Sequence, residues 1–173
     1  MGAHTSRRGT SADTRTVLNA VRRIVHALHA SSRWAEKHVG LSGAQLFVLH
    51  RLAESPPLSL NELAARTHTH QSSVSTVVSR LVERGLVVRG RSPVDGRRVT
   101  LGLSAVGRRL VEGAPDPVQP RLIDGIERLP ARERVALARS LEALTQAMEV
   151  GGGEPVMFFD DSAGGRRRRS RHG

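Results

Sequence analysis

The stretch Thr67–Gly85, THTHQSSVSTVVSRLVERG, limits the folds open to this chain more than any other. Its apolar residues Val74, Val77, Val78, Leu81 and Val82 recur at the spacing of one helical face. Ser72, Ser73, Ser75, Thr76 and Ser79 lie among them, and Ser and Thr are poor interior helix formers that add little to a core. Such a helix must be buried along one side while keeping small hydroxyls along the other. That second side suits close approach to a polar, grooved partner, and the DNA major groove is the expected one.

Charge supports that direction. The 173 residues carry a formal net charge of +11. Residues 14–150 hold 20 basic and 12 acidic groups, so the excess is not confined to the ends. A basic body favours polyanions through counterion release, although charge alone carries no sequence specificity. The absence of cysteine excludes disulfides, thiolate zinc sites and cysteine redox sensing. No apolar run approaches the ~20 residues that a membrane span requires. The first residues, MGAHTSRRGTSAD, lack the apolar middle of a signal peptide, which points to the cytoplasm.

The flanking segments fall into a definite order. Residues 1–13 read as a flexible polar tail and residues 14–41 as an amphipathic helix. Its apolar stripe runs through Val17, Leu18, Val21, Ile24, Val25 and Leu28, extended by Ala35 and Val39. A long helix ahead of a compact domain needs something to pack on, and a partner subunit is the natural candidate. Ser42 with Gln45 and Ser59 with Glu62 are capping-box pairs, each opening a helix. The first helix, Leu46–Ala53, is stopped by Pro56 and Pro57, and the second runs through Arg66. A turn at Thr67–Thr69 then leads into the hydroxyl-faced helix, which ends at Gly85, a residue suited to positive φ. Helix, short turn and helix in this order is a helix-turn-helix.

Leu86–Arg91 and Arg97–Leu103 form a hairpin around Ser92-Pro93-Val94-Asp95-Gly96, with Val99, Leu101 and Leu103 expected inward. Ser104 caps a helix to about Glu112, and Pro115, Pro117 and Pro120 break the chain. Helix resumes over Val118–Arg128, and a last helix to about Met148 begins at Pro130. Leu137, Leu141, Leu144 and Met148 share one face of it. Residues 151–173 read as a flexible Gly/Arg-rich tail, with docking of Met157–Phe159 on the body or a partner as the alternative.

The run SLNELAART…QSSVSTVVSRLVERGLVVRGRSPVDGRRVTLGLSAVG resembles the multiple antibiotic resistance regulator (MarR) family of winged-helix transcription factors. Leu63-Ala64, Leu81, Arg84-Gly85-Leu86-Val87, Asp95-Gly96-Arg97, Leu101, Leu103, Ser104 and Gly107 fall at that family's spacings, and the likeness spans Val17 to Met148. It implies a mainly α fold with a small β-wing. In that fold a winged helix-turn-helix domain (42–110) is flanked by N- and C-terminal dimerisation helices (14–41 and 111–150). It implies a homodimer, intertwined through Val17, Val21, Leu28, Leu137, Leu141, Leu144 and Met148. It also implies a transcriptional regulator, more often a repressor, that binds a pseudo-palindromic duplex and is released by a small-molecule effector. The major-groove and phosphate contacts would be His70, Gln71, Ser72, Ser73, Ser75, Thr76, Ser79 and Arg80. The wing would contribute Arg91, Asp95, Arg97 and Arg98, with Arg97 at the minor groove and Asp95 orienting a wing arginine. Effectors of the family would fall near Trp34 and His38, where interface packing is the other reading of Trp34.

Two departures stand in the turn. Where the family has an apolar residue, a glycine and another apolar residue, this chain has Thr67, His68 and Thr69. Histidine tolerates the left-handed region, so the turn can survive. His70 occupies the usual cap position, and either it or Thr69 opens the helix. His26 with His29 and His68 with His70 lack carboxylates that would complete a metal site, so no metal and no cofactor is expected. No nucleophile–base pair, HExxH or phosphate-cradling glycine loop is present, and an enzyme is not expected. An architectural protein coating DNA without a preferred site is the second expectation, and a winged helix used only for protein contacts is the third.

Overall fold

The computed structural model describes residues 4–55, 57–91, 96–150 and 157–158, with side chains from residue 12 onward. The order is α1 (His4–Val39), α2 (Gly43–Ala53), α3 (Leu60–Arg66), α4 (Gln71–Glu83), β1 (Val87–Arg91), β2 (Val99–Leu103), α5 (Ala105–Glu112), α6 (Val118–Glu127) and α7 (Ala131–Ala147). The two strands pair antiparallel, with Val87 opposite Leu103 and Arg91 opposite Val99. A bridge between Leu58 and Leu101 adds the segment before α3 to the edge of β2.

The core is built around α2, whose residues are buried from Gly43 to His50. Both capping boxes form. The Gln45 side-chain oxygen accepts from the Ser42 N–H at 3.0 Å while Ser42 Oγ accepts from the Gln45 N–H at 3.3 Å. Ser59 and Glu62 repeat the arrangement at the start of α3, with the Ser59 N–H donating to Glu62 at 2.7 Å. Capping satisfies N–H groups that otherwise lack partners at a helix start, so each short helix has a defined origin. Those hydrogen bonds from Ser59 also hold the Glu62 carboxyl below its ordinary pKa.

Against α2 lie Val74, Val77, Val78 and Leu81 of α4, together with Leu63, Leu86, Val87 and Leu101. Complete burial of each α4 side chain contributes roughly 1.5–3 kcal/mol, which a row of hydroxyls could not supply. Gly85, at φ +68°, turns the chain from α4 into the hairpin. Gly107 meets the hairpin so closely that a Cβ there would lie 2.2 Å from the Leu86 carbonyl oxygen. Ser104 locks the same corner: its hydroxyl donates to the Gly85 carbonyl at 2.7 Å and accepts from the Gly107 N–H at 3.0 Å.

Several boundaries and orientations depart from the sequence reading. Residues 4–13, expected as a flexible tail, continue α1, as extending a formed helix is far easier than starting one. The α2 helix begins at Gly43 rather than Leu46, because its cap is Ser42. Val99, expected inward, is 57% exposed, whereas Leu101 and Leu103 are buried. The strand alternates as predicted, but its first residue lies beyond the body on the outer part of the hairpin. The Ser92–Asp95 turn lies outside the described residues, as does Pro56. In the segment expected as a flexible tail, Met157 joins the core cluster and the rest of 151–173, Phe158 aside, lies outside the described residues.

The apolar stripe of α1 divides. Leu28 and Ala35 are buried within the chain's own fold, so Leu28 needs no partner to cover it. Val17, Leu18, Val21, Ile24 and Val25 are exposed. Helix α7 has no buried residue, and Val135, Leu137, Leu141, Leu144 and Met148 all face outward. An isolated helix of this length is marginal in water, so an uncovered α7 would have little to hold it.

One titratable group is built into the core. The His50 side chain is 7% exposed, with Nδ1 3.7 Å from Asp116, and its Nε2 has no hydrogen-bond partner among the described residues. Burial pushes the His50 pKa below 6.5, opposed in part by the charges of Asp116 and Glu54. A histidine held neutral by folding leaves the unfolded chain binding more protons as pH falls below about 6.5, so this contribution is complete above that pH and lost below it. Thermal midpoints taken from about pH 7 to pH 5 should therefore decline less steeply in His50→Leu than in the parent chain. Parallel declines would show that His50 has no part in the acid sensitivity.

Candidate nucleic-acid interface

The two sides of α4 differ as its sequence requires. Gln71, Ser72 and Thr76 are exposed, and Ser75, Ser79 and Arg80 are half-buried. The Thr76 hydroxyl donates to the Ser72 carbonyl at 3.2 Å, which keeps this side chain against the helix. Ser73, expected among the groove contacts, is only 9% exposed and belongs to the buried side. It precedes Val77 by four residues and Leu81 by eight, so helical geometry turns it inward.

The turn before α4 adopts the strained solution that its sequence allowed. His68 stands at φ +49°, where the family pattern would place glycine. Its neighbours compensate. Thr67 is buried with its hydroxyl donating to the Leu63 and Ala64 carbonyls at 3.0 and 3.1 Å, and His68 Nε2 lies 3.0 Å from Glu127 of α6. His70 is the N-cap, with φ −64° and ψ 144°, and it supplies no side-chain cap hydrogen bond. Thr69 stands one residue before the N-cap, and its hydroxyl donates to the Thr67 carbonyl at 2.9 Å. The positive end of the α4 dipole lies at this turn, and a helix N-terminus suits an anion such as a phosphate.

On the hairpin, Arg89 and Arg91 alternate with Gly90 and are exposed, as are Arg97 and Arg98. The charge of Arg98 helps lower the Glu62 pKa, after the Ser59 hydrogen bonds. Asp95, expected to orient a wing arginine, lies outside the described residues. Arg89 escaped the sequence reading, although its spacing two residues from Arg91 places both on one face of β1. At the far end of α4, Arg84 Nη1 donates to the Gly40 carbonyl at 2.7 Å, tying the end of α1 to the end of the helix-turn-helix. No periodicity predicts that bond, because its partners are 44 residues apart.

Trp34 and His38 are stacked neighbours one turn apart on α1. Trp34 lines a cavity of about 330 Å³ with Ala30, Leu46, Pro115 and Val118, between α1, α2 and α6. His38 is exposed and stacks on the Trp34 ring, centroids 4.7 Å apart and planes 16° from parallel, with Nδ1 3.0 Å from the Trp34 carbonyl. Among the described residues no group of three or more His, Cys, Asp or Glu could hold a metal ion. No described helix is long and apolar enough to cross a membrane.

Comparison with known proteins agrees with this geometry. The family model described as MarR family matches residues 39–98. The HTH-type transcriptional regulator FarR of Neisseria gonorrhoeae is 32% identical over 117 residues, covering 68% of this chain and 80% of that protein. The HTH-type transcriptional repressor Rv2887 of Mycobacterium tuberculosis is 32% identical over 106 residues, covering 61% of this chain and 76% of the relative. Among solved structures, Bordetella bronchiseptica BpsR, whose DNA binding is regulated by 6-hydroxynicotinic acid, is 28% identical, with 75% and 92% of the two chains covered and a TM-score of 0.50.

The two sides of α4 can be separated by adjacent substitutions. Ser73→Asp places a carboxylate against the core and should lower unfolding stability by roughly 2–3 kcal/mol. Ser72→Asp, exposed in the first turn of α4, should stay within about 0.5 kcal/mol of the parent. Urea denaturation monitored by circular dichroism checks both, and equal losses would mean that the burial pattern of α4 is misassigned.

Proposed function

The chain belongs to the MarR family of DNA-binding transcriptional regulators, and on that premise we propose that it is a homodimeric repressor of one pseudo-palindromic operator, released by a small-molecule effector. The observation that carries the reading is α4, packed through its valines and leucine on the core while Gln71, Ser72, Ser75, Thr76 and Ser79 face outward or sit at its edge.

In this reading α4 enters the major groove. Gln71 has the donor and acceptor needed to read adenine, and the hydroxyls admit close approach. His70, Arg80 and the N-terminus of α4 take phosphates, while Arg97, with Arg91 and Arg89 behind it, reaches the adjacent minor groove. The burial of Ser73 argues against a contact role for it, and Arg98 carries part of its field toward Glu62. The exposed stripes of α1 and α7 support dimerisation: Val17 and Val21 with Leu137, Leu141, Leu144 and Met148 form faces that a second copy would cover. Two recognition helices then read half-sites about one helical turn apart. The repressor assignment is supported by the relative named as one, and effector release by the regulated DNA binding of BpsR. The cavity beside Trp34 sits between the helix that would dimerise and the helix-turn-helix, where an occupant would alter their angle. The competing reading, uniform coating of DNA, is favoured only by the basic charge excess.

Operator affinity measured by fluorescence anisotropy tests the assignment. Arg97→Ala should weaken the operator by about 1–3 kcal/mol, as should Gln71→Ala, the latter with relaxed preference at one base pair. An unchanged affinity for Arg97→Ala removes the wing from the interface. Equal weakening of all sequences by Gln71→Ala makes that residue a phosphate contact rather than a reader of bases.

A further inference from the structure

A cleft of about 360 Å³ opens between the turn at residues 67–70 and α6, walled by Phe47, Gln119, Ile123 and Ile126. Met157 and Phe158 line it from the C-terminal segment. The Met157 side chain belongs to the core cluster at 4% exposure. The buried Gln119 side chain donates through Nε2 to the Phe158 carbonyl at 3.3 Å, fixing the backbone of that segment as well. An apolar side chain in the core and a main-chain carbonyl held by a buried amide are the two kinds of contact by which peptides are recognised, through a side-chain pocket and through the backbone. The sequence around it suits the role, since the chain has three phenylalanines, one lining the cleft from α2 and two in this segment.

We propose that the face made by Phe47, Gln119 and the turn at 67–70 is a peptide-binding site whose ligand is the chain's own Met157–Phe158 segment, with Met157 seated in the core and Phe158 at the exposed rim beside the cleft, and that this docking pre-orders the start of α4 for DNA. The start of α4 follows a turn whose backbone enters the left-handed region at His68. His70 supplies no side-chain cap, and the 3.0 Å contact from His68 Nε2 to Glu127 is half-exposed on both sides. All four turn residues, 67–70, border the cleft, so the segment bears on the part of the fold that must be ordered before α4 meets a groove. A segment that orders this turn in advance reduces the ordering left to be done on binding. The docking itself stands apart from what the chain binds, whereas its consequence for DNA rests on the reading given above.

The full-length chain, Met157→Asp, Met157→Leu and Gln119→Ala would be compared by amide hydrogen exchange and by operator affinity. In Met157→Asp the Thr69 and Val74 amides, bonded to the Ala64 and His70 carbonyls, should exchange about tenfold faster or more, while α2 amides stay as in the parent. Gln119→Ala should show a smaller change at the same amides, and Met157→Leu should match the parent. A synthetic peptide of residues 153–160, added in excess, should restore protection to Met157→Asp and recover a loss of about threefold or more in operator affinity. Unchanged exchange in Met157→Asp overturns the proposal, as does faster exchange throughout the fold that the peptide does not reverse. Local loss of protection with unchanged operator affinity overturns the pre-ordering. If the parent chain binds no DNA, the regulator reading fails while the exchange data still decide the docking.

Discussion

The packing of α4 on α2 is the interaction from which the other arrangements follow. Four aliphatic side chains of α4 are buried to completion, so the rotation of this helix about its axis is not adjustable. With that rotation fixed, the hydroxyls and Gln71 lie at or beyond the edge of the core, and Ser73 is drawn in with the valines. The same packing sets the hairpin, because Gly85 and Leu86 continue from α4 and Gly107 meets the Leu86 backbone without room for a side chain. A groove-reading surface here is what remains after the core has taken its share of the helix.

The stability of the reading head is uneven along its length. Its C-terminal end is tied to α1 through Arg84 and Gly40, and its middle is buried. Its N-terminal end holds a left-handed histidine, a threonine that bonds back to α3, and a 3.0 Å contact from that histidine to Glu127 of α6. The flanking helices therefore touch the DNA-reading lobe at both ends, from α1 on one side and α6 on the other. Under the proposed regulation, an effector in the cavity between α1, α2 and α6 would bear on α4 by either route, without a long pathway.

Local rules made much of this legible beforehand. Each capping box names its own helix origin, Gly85 is required by the turn it makes, and the alternation in Val99–Leu103 can only be a strand. What escaped depends on position in three dimensions. Val99 follows the strand's period yet faces outward, because the hairpin extends beyond the body that would bury it. Ser73 differs from Ser72 by one step of 100°, and only packing decides which of the two is covered. The contacts of His68 with Glu127 and of Arg84 with Gly40 join residues far apart in sequence, and no periodicity connects them, whereas docking of Met157 on the body stood as the alternative to a flexible tail and is what the core shows. The extension of α1 back to His4 was missed for a different reason: polar composition argued for a tail where helix continuation prevailed.

In the proposed complex a symmetric pair of α4 helices reads one site, with the wings on the flanking minor grooves. Footprinting on a duplex recovered by selection from a random pool tests it most directly. The account predicts one protected pseudo-palindrome whose two halves are centred roughly 10 base pairs apart, with protection continuing into the minor groove on both flanks. Even protection along the whole duplex, independent of sequence, would contradict it.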